Sequence, residues 1–309
     1  MAAGYTENPS NFQELVPYVI FEKEQIFQEL ILAEKCYFYD ACAFRRHVQM
    51  VYPEYIFDFI KGTNGITVIT RGILMELGAA DGLLRSGYIG YLRRMYEAGI
   101  KIIILYEEDL FGLLSICFST YVQVNSQLSW AVKAVKRPTG TVAYTLNTND
   151  QLKREILSGA RTDKTLFARF FQEVRKNKMP DDDLGEELLA VCMHLLANIP
   201  ESVSYKYIIF TDDRSAVGMF NKTRMNILNY IGARSFSVLT TNRLVQRLYE
   251  IRILTEKLQI EEMLKTGISD EVLRIFGSEK YDLRPEEKRM TAAELAEKIV
   301  GEVELHINY

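Results

Sequence analysis

The sequence has few of the residues that hold zinc or form disulfides. It contains four cysteines, none of them in a CxxC pair, and three histidines. Cysteine and histidine zinc sites need several such ligands at short spacings, which this chain does not offer. The scattered cysteines predict reduced, buried thiols in a cytoplasmic protein; they are Cys36, Cys42, Cys117 and Cys192.

Several functional motifs are missing as well. No apolar run reaches the roughly 18–20 residues that cross a bilayer. The N-terminal residues MAAGYTENPSNFQEL lack a basic segment followed by an apolar one, so we expect neither a secretory signal nor a membrane partner. The patterns GxGxxG, GxxxxGK[ST], GxSxG and HExxH do not occur. Their absence argues against nucleotide-loop, serine-hydrolase and zincin chemistry.

Hydrophobic residues make up 48% and charged residues 25% of the 309 residues, which is typical of a globular protein. Five runs rich in aromatic and β-branched residues predict strands, namely CYFY before Asp40, ITVI (66–69), IKIIIL (100–105), YKYIIF (205–210) and RSFSVLT (234–240). Helical patterns lie between them at 81–97, 184–198 and 214–229, a further helix is expected from Phe44, and Thr70 is expected to cap another. This alternation predicts an α/β fold with a parallel sheet, whose ligands bind at the carboxyl ends of the strands.

The remaining segments are predicted to surround that sheet. Residues 1–32 form an N-terminal helical extension, with an amphipathic helical region over 11–34. The α/β domain spans 33–245 and contains a helical insert at 106–180, and 246–309 form a charged, helical C-terminal extension. A capping box from Thr291 to Glu294 opens its last helix.

Five acidic residues stand at the ends of predicted elements. Asp40 ends the first strand, Glu76 lies about two turns into the helix after ITVIT, and Glu186 opens a helix. Asp212 and Asp213 follow YIIFT. Divalent cations held by carboxylates activate water and stabilise a leaving oxygen, which is the chemistry that phosphodiester hydrolysis needs. The alternatives are ordinary ones, since the paired aspartates suit a helix N-cap and the two glutamates suit solvated helix faces.

The ordered motifs YFYD, ITVITRGILMEL, DLGEELLAVCMHLLA and YIIFTDDRSA resemble the PIN-domain nuclease family, in the branch with a Gly-Glu helix start and a double aspartate. The resemblance covers residues 33–105 and 180–245. It implies a three-layer α/β/α fold, a Mg²⁺ or Mn²⁺ site, and an endoribonuclease that cleaves single-stranded RNA by two-metal-type hydrolysis. Many members of the family are toxins of toxin–antitoxin pairs. This chain departs from the family in its length and in the long separation between Glu76 and Glu186.

Carried onto this sequence, the resemblance makes Asp40, Glu76, Glu186 and Asp212 the catalytic metal ligands. Asp213 becomes a close catalytic accessory, and Thr211 positions a water molecule or a phosphate. The third ligand has two alternatives to Glu186, which are Asp183 and Glu187.

The insert carries an excess of positive charge. Between residues 133 and 178, eleven basic residues face four acidic ones, a balance of +7 in a chain whose net charge is −4. Such a patch beside an acidic pocket suits nucleic-acid binding, or it is a solvated face. The residues are Lys133, Lys136, Arg137, Lys153, Arg154, Arg161, Lys164, Arg169, Arg175, Lys176 and Lys178. Phe167, Phe170 and Phe171 could stack bases, but their helical spacing favours core packing.

The expected partner is therefore RNA, with single-stranded DNA as a second substrate. A different interpretation is a catalytically inactive PIN-like module that docks a partner protein or nucleic acid. A third is a toxin that an antitoxin holds inactive, with the helical tail over the site. Members of the family often dimerise, so a homodimer is a further expectation.

Overall fold

The computed structural model describes residues 5–135, 137–158, 161–180, 182–199, 205–231, 236–265, 272–279, 284–301 and 305–308. Its centre is a five-stranded sheet in which all neighbouring strands run parallel. The strands are β1 (Lys35–Tyr39), β2 (Gly65–Thr70), β3 (Ile102–Leu105), β4 (Tyr207–Phe210) and β5 (Ser237–Leu239). All five predicted strands are present, and the mixed α/β fold with a parallel sheet is confirmed.

Helices connect these strands in the described part of the chain. Before the insert they are α1 (Lys23–Leu32), α2 (Ala41–Gln49), α3 (Glu54–Gly62), α4 (Arg71–Leu77) and α5 (Ser86–Glu97). The stretch predicted as an insert contains α6 (Leu110–Cys117), α7 (Tyr121–Val135), α8 (Thr141–Thr148), α9 (Asp150–Ser158) and α10 (Leu166–Lys176). The later helices are α11 (Leu184–Leu196), α12 (Arg214–Ile231), α13 (Thr241–Glu250), α14 (Lys257–Leu264) and α15 (Ala292–Val300).

Capping residues fix where the helices nearest the sheet begin. Asp40 accepts a hydrogen bond of 2.6 Å from the backbone of Ala41, so α2 begins there rather than at Phe44. Thr70 accepts from the backbone of Ile73 at 3.5 Å, as predicted, and opens α4. Both short helices therefore start directly at the carboxyl ends of β1 and β2.

Side chains of the strands alternate between two hydrophobic clusters, one on each face of the sheet. Phe38, Val68 and Ile103 pack with helices that include α7, α10, α11 and α12. Their neighbours Tyr39, Ile69 and Ile104 pack in the other cluster with helices α2–α5 and α13–α15. Because both faces are covered, the strands carry apolar residues on both faces rather than alternating with polar ones.

The strand order β3-β2-β1-β4-β5 places a switch point between β1 and β4. After β1 the chain forms β2 and β3 on one side of β1, and it later forms β4 and β5 on the other side. In open α/β sheets this reversal opens a crevice outside the carboxyl ends of the two strands. Asp40 follows β1 and Thr211 follows β4, so both lie at this crevice.

Two predicted helical regions are wrong in part. The region 11–34 is two short 3₁₀ turns, Phe12–Glu14 and Val16–Tyr18, an isolated bridge from Ile20 to Ile103, and then α1. Pro17 lies in the second turn and has no N–H to continue a longer helix. Helix α5 begins at residue 86 instead of 81, after a bend with Gly82 at φ +77°.

The C-terminal extension is also not wholly helical. It contains α14 and α15, and the Thr291–Glu294 capping box is confirmed. However, β6 (Leu273–Ser278), β7 (Glu286–Met290) and β8 (His306–Ile307) form a small antiparallel sheet in the order β7-β6-β8. The predicted helical tail therefore needs correcting to a mixed unit, which packs into the cluster around α13.

Two further expectations concern membrane-spanning helices and the state of the cysteines. Among the helices in the described ranges, none combines the length and apolarity needed to cross a membrane. All four cysteines are free; Cys36 and Cys192 are buried, whereas Cys42 and Cys117 are only half-buried.

Candidate metal centre

Three of the predicted carboxylates meet at the carboxyl edge of the sheet. Asp40 follows β1, Glu76 lies near the end of α4, and Glu186 lies in the first turn of α11. One oxygen atom from each lies within 4.8 Å of the others. We call Asp40, Glu76 and Glu186 the acidic triad. Three oxygen donors so close together suit a hard divalent cation such as Mg²⁺ or Mn²⁺.

Asp40 is completely buried and firmly held. Its Oδ1 accepts from the backbone of Ala41, while its Oδ2 accepts from Thr211 Oγ1 and Cys42 Sγ, both at 2.7 Å. Burial raises the pKa of Asp40 to about 6, with a further contribution from the charge of Glu76, although these hydrogen bonds oppose the rise. Thr211, predicted to position water or phosphate, donates to this carboxylate and orients it.

Glu76 is bound by a lysine and by the start of α11. Its Oε1 accepts from Lys178 Nζ at 2.7 Å and from the Gly185 backbone at 3.0 Å. A Cβ on Gly185 would lie 2.8 Å from the carboxyl carbon and from both carboxylate oxygens of Glu76. Only glycine therefore lets the glutamate approach the helix start, where the backbone N–H groups favour a negative charge.

Glu186 is the strained member of the acidic triad. Its buried Oε2 has no hydrogen-bond partner. Burial raises the pKa of Glu186 to about 9, and the negative charges of Asp40 and Glu76 add to the rise. Converging carboxylates disfavour each other's ionised form, and a cation relieves this repulsion. The unpartnered oxygen and the donor set therefore fit a divalent metal ion.

Asp212, also predicted as a metal ligand, is not among the three carboxylates whose oxygens lie within 4.8 Å of one another. Its carboxylate accepts from the backbone (2.8 Å) and the hydroxyl (2.5 Å) of Thr241, and Arg46 lies 3.4 Å away. These partners turn the side chain toward the start of α13. The backbone of Asp212 still donates to Cys42 Sγ, which links it indirectly to Asp40.

Asp213 is a helix cap, as the ordinary alternative predicted. Its Oδ1 accepts from the backbones of Ser215 (2.6 Å) and Ala216 (3.2 Å) in the first turn of α12. Its own backbone donates to Thr211 Oγ1. Asp213 therefore supports the residue that holds Asp40, and does not join the acidic triad.

The two alternatives to Glu186 have other partners. Asp183 pairs with Arg137 at 2.6 Å. Glu187 is buried, and its Oε2 accepts from the Val142 backbone at 2.9 Å. Burial raises the pKa of Glu187 to about 7. Gly140 is required there, because its Cβ would overlap a carboxylate oxygen of Glu187. Neither residue belongs to the acidic triad.

Two of the basic residues of the insert have buried side chains. Arg175 is fully buried and pairs with Glu107 (2.8 Å) and Glu108 (2.9 Å), so it is not available to a nucleic acid. Lys178 is also enclosed. The other predicted binding residues differ in exposure: Lys133, Arg154 and Lys176 are exposed, Lys153 and Arg137 are half-buried, and Lys136 lies outside the described residues.

Phe167, Phe170 and Phe171 are buried in the core, so the packing interpretation of their spacing is confirmed. His47, close behind Asp40, is buried too. Its Nδ1 bonds the hydroxyl of Tyr39 at 2.9 Å and its Nε2 bonds that of Thr241 at 3.0 Å. Burial lowers the pKa of His47 to about 4, which keeps the ring neutral at physiological pH.

A cavity of about 530 Å³ lies beside Asp212, between the parallel sheet's edge and the small antiparallel sheet. Its lining includes three arginines, which are Arg46, Arg214 and Arg274, and one acidic residue, Glu287. Arg214 pairs with Glu287 at 2.5 Å, whereas Arg274 is exposed. Sequence reasoning missed this cavity, because its walls come from five separate stretches of the chain.

Lys178 was predicted from sequence as a surface contact, and its place in the site was not foreseen. Burial lowers the pKa of Lys178, but the charges of Glu76 and Asp182 outweigh that effect and the net shift is upward. The sequence did carry a signal for the close approach of Glu76, which is Gly185 directly before Glu186.

Comparison with protein-family models, curated proteins and solved structures found no match. The resemblance to PIN-domain nucleases therefore stays a prediction that rests on the ordered motifs.

Proposed function

We propose that this protein is a divalent-cation-dependent nuclease that hydrolyses phosphodiester bonds in single-stranded RNA. The observation that carries the proposal is the acidic triad, in which Asp40, Glu76 and Glu186 converge from distant stretches of the chain. The preference for RNA over DNA rests on the resemblance to PIN-domain nucleases, which is an argument by analogy.

The residues around the acidic triad have separable roles in this proposal. A divalent cation held by the three carboxylates would make water nucleophilic and stabilise the leaving oxygen. Thr211 and Cys42 fix Asp40, and Lys178 and Gly185 fix Glu76, so two ligands are oriented before anything binds. Arginines of the cavity beside Asp212 supply groups that bind phosphate well.

The test is cleavage of an end-labelled single-stranded RNA with and without Mn²⁺. Asp40→Asn and Glu186→Gln should each slow cleavage by more than about a hundredfold, the upper range for residues that merely support a metal ligand. Asp58→Asn, the same change on the exposed side of α3, should cleave normally. If neither RNA nor single-stranded DNA is cut and Mn²⁺ does not raise the melting temperature, the docking-module interpretation becomes the better one.

A further inference from the structure

A positive charge from the insert lies against one member of the acidic triad, Glu76. Lys178 follows α10, and its side chain is only 3% exposed. Its Nζ lies 2.7 Å from Glu76 Oε1 and 3.0 Å from the backbone oxygen of Asp182, and it pairs with the Asp182 carboxylate. An ammonium group enclosed by two carboxylates is a fixed cation at the edge of the site.

Two of the carboxylates expected to hold a second metal ion already have other partners. Two ions that work together lie about 3.5–4 Å apart and draw on one small set of ligands. Glu76 Oε1 accepts from both Lys178 and Gly185, and the carboxylate of Asp212 is held by Thr241 and Arg46. Within the described ranges, the acidic triad is the one group of side chains placed to hold an ion.

We infer that the site binds a single divalent cation, and that the Lys178 ammonium stands where a second cation would otherwise bind. This inference rests on the proposed function and deepens it, since it replaces the expected two-ion site with one ion and one lysine. The insert then contributes directly to the centre, because the residue that completes the charge balance of Glu76 lies between α10 and α11.

The test is the number of Mn²⁺ ions bound per chain, measured by equilibrium dialysis and by calorimetric titration. The wild type should bind one ion, and Lys178→Arg should keep that number because it keeps the charge. Lys178→Met should bind two, since the change removes the ammonium group that pairs with the carboxylates of Glu76 and Asp182. Lys176→Met is the matched control, because Lys176 ends α10 two residues before Lys178 and its side chain is 70% exposed. This variant should bind one ion.

The outcomes separate this inference from the proposed function. Two ions in the wild type would overturn the inference and leave a nuclease site standing. No ion in the wild type would overturn both. One ion in Lys178→Met, with unchanged affinity, would also refute the role of the lysine. If Lys178→Met does not fold, the wild-type stoichiometry still decides whether the site binds one ion or two.

Discussion

Replacing Gly185 with alanine would place a methyl group where the Glu76 carboxylate now lies. The added Cβ would be 2.8 Å from both carboxylate oxygens, and ordinary contacts begin near 3.4 Å. The carboxylate must therefore retreat by about 0.6 Å or more. Such a shift lengthens the hydrogen bonds of the carboxylate to the Gly185 backbone and to Lys178. It also moves the carboxylate from the position in which it meets Asp40 and Glu186.

The expected effects on stability and on metal binding differ in size. Overpacking of this kind costs about 1–3 kcal/mol, which lowers the melting temperature of a chain this long by about 2–5 °C. In the wild type, Mn²⁺ at a hundred times its dissociation constant should add about 2.7 kcal/mol, or about 4 °C. A ligand displaced from its place costs about 10–100-fold in affinity, which reduces the Mn²⁺-induced rise to below about 2 °C.

The assay is thermal unfolding followed by circular dichroism, with and without Mn²⁺. The control is Gly218→Ala in α12, where an added Cβ meets nothing within 4 Å. This exposed helical position should gain about 0.5–1 kcal/mol from alanine and keep the full response to Mn²⁺. If Gly185→Ala responds to Mn²⁺ as strongly as Gly218→Ala does, the close approach of Glu76 has no part in metal binding and the reasoning fails.

Three further predictions follow from individual groups. Arg175→Met should destabilise the protein by about 3–5 kcal/mol in urea unfolding, because it leaves the buried charge of Glu107 without its ion-pair partner. A loss of stability under about 1 kcal/mol would contradict this prediction. Since the folded-state pKa of Glu186 is raised to about 9, the folded protein holds this proton longer than the unfolded chain. The metal-free protein should therefore lose stability as the pH rises from about 4.5 to about 9, and its affinity for Mn²⁺ should rise over the same range. An affinity for Mn²⁺ that does not change with pH would contradict this prediction. Arg274→Ala should weaken single-stranded RNA binding and reduce its salt slope by about 1, whereas Arg154→Ala in the insert should do so less.

The parallel sheet was predictable because its strands are buried on both faces. Runs such as YFY and IIIL are apolar at every position, which distinguishes them from the amphipathic helices around them. The antiparallel sheet was not predictable in the same way. Strand β7 has the sequence EEKRM, with four charged residues, and it is a strand only because it pairs with β6. Such pairing depends on tertiary context more than on local preference.

The acidic triad was predictable for a related reason. Asp40, Glu76 and Glu186 each lie near an end of an element whose position the fold determines, so the order of elements was enough to bring them together. Asp212 has the same local setting after β4, but Arg46 and Thr241 decide where its side chain turns. Those two residues come from distant parts of the chain, and no local pattern shows that they meet.

The insert supports both ends of the short helix that carries Glu76. At the start of α4, the backbone of Gly72 donates to the buried Glu107 at 2.7 Å, and Glu107 is in turn paired with Arg175 of α10. At the other end, Lys178 binds the Glu76 carboxylate itself. A helix of seven residues has little stability of its own, so its position depends on such contacts. The buried basic residues Lys178 and Arg175 of the insert therefore act on the geometry of the acidic triad.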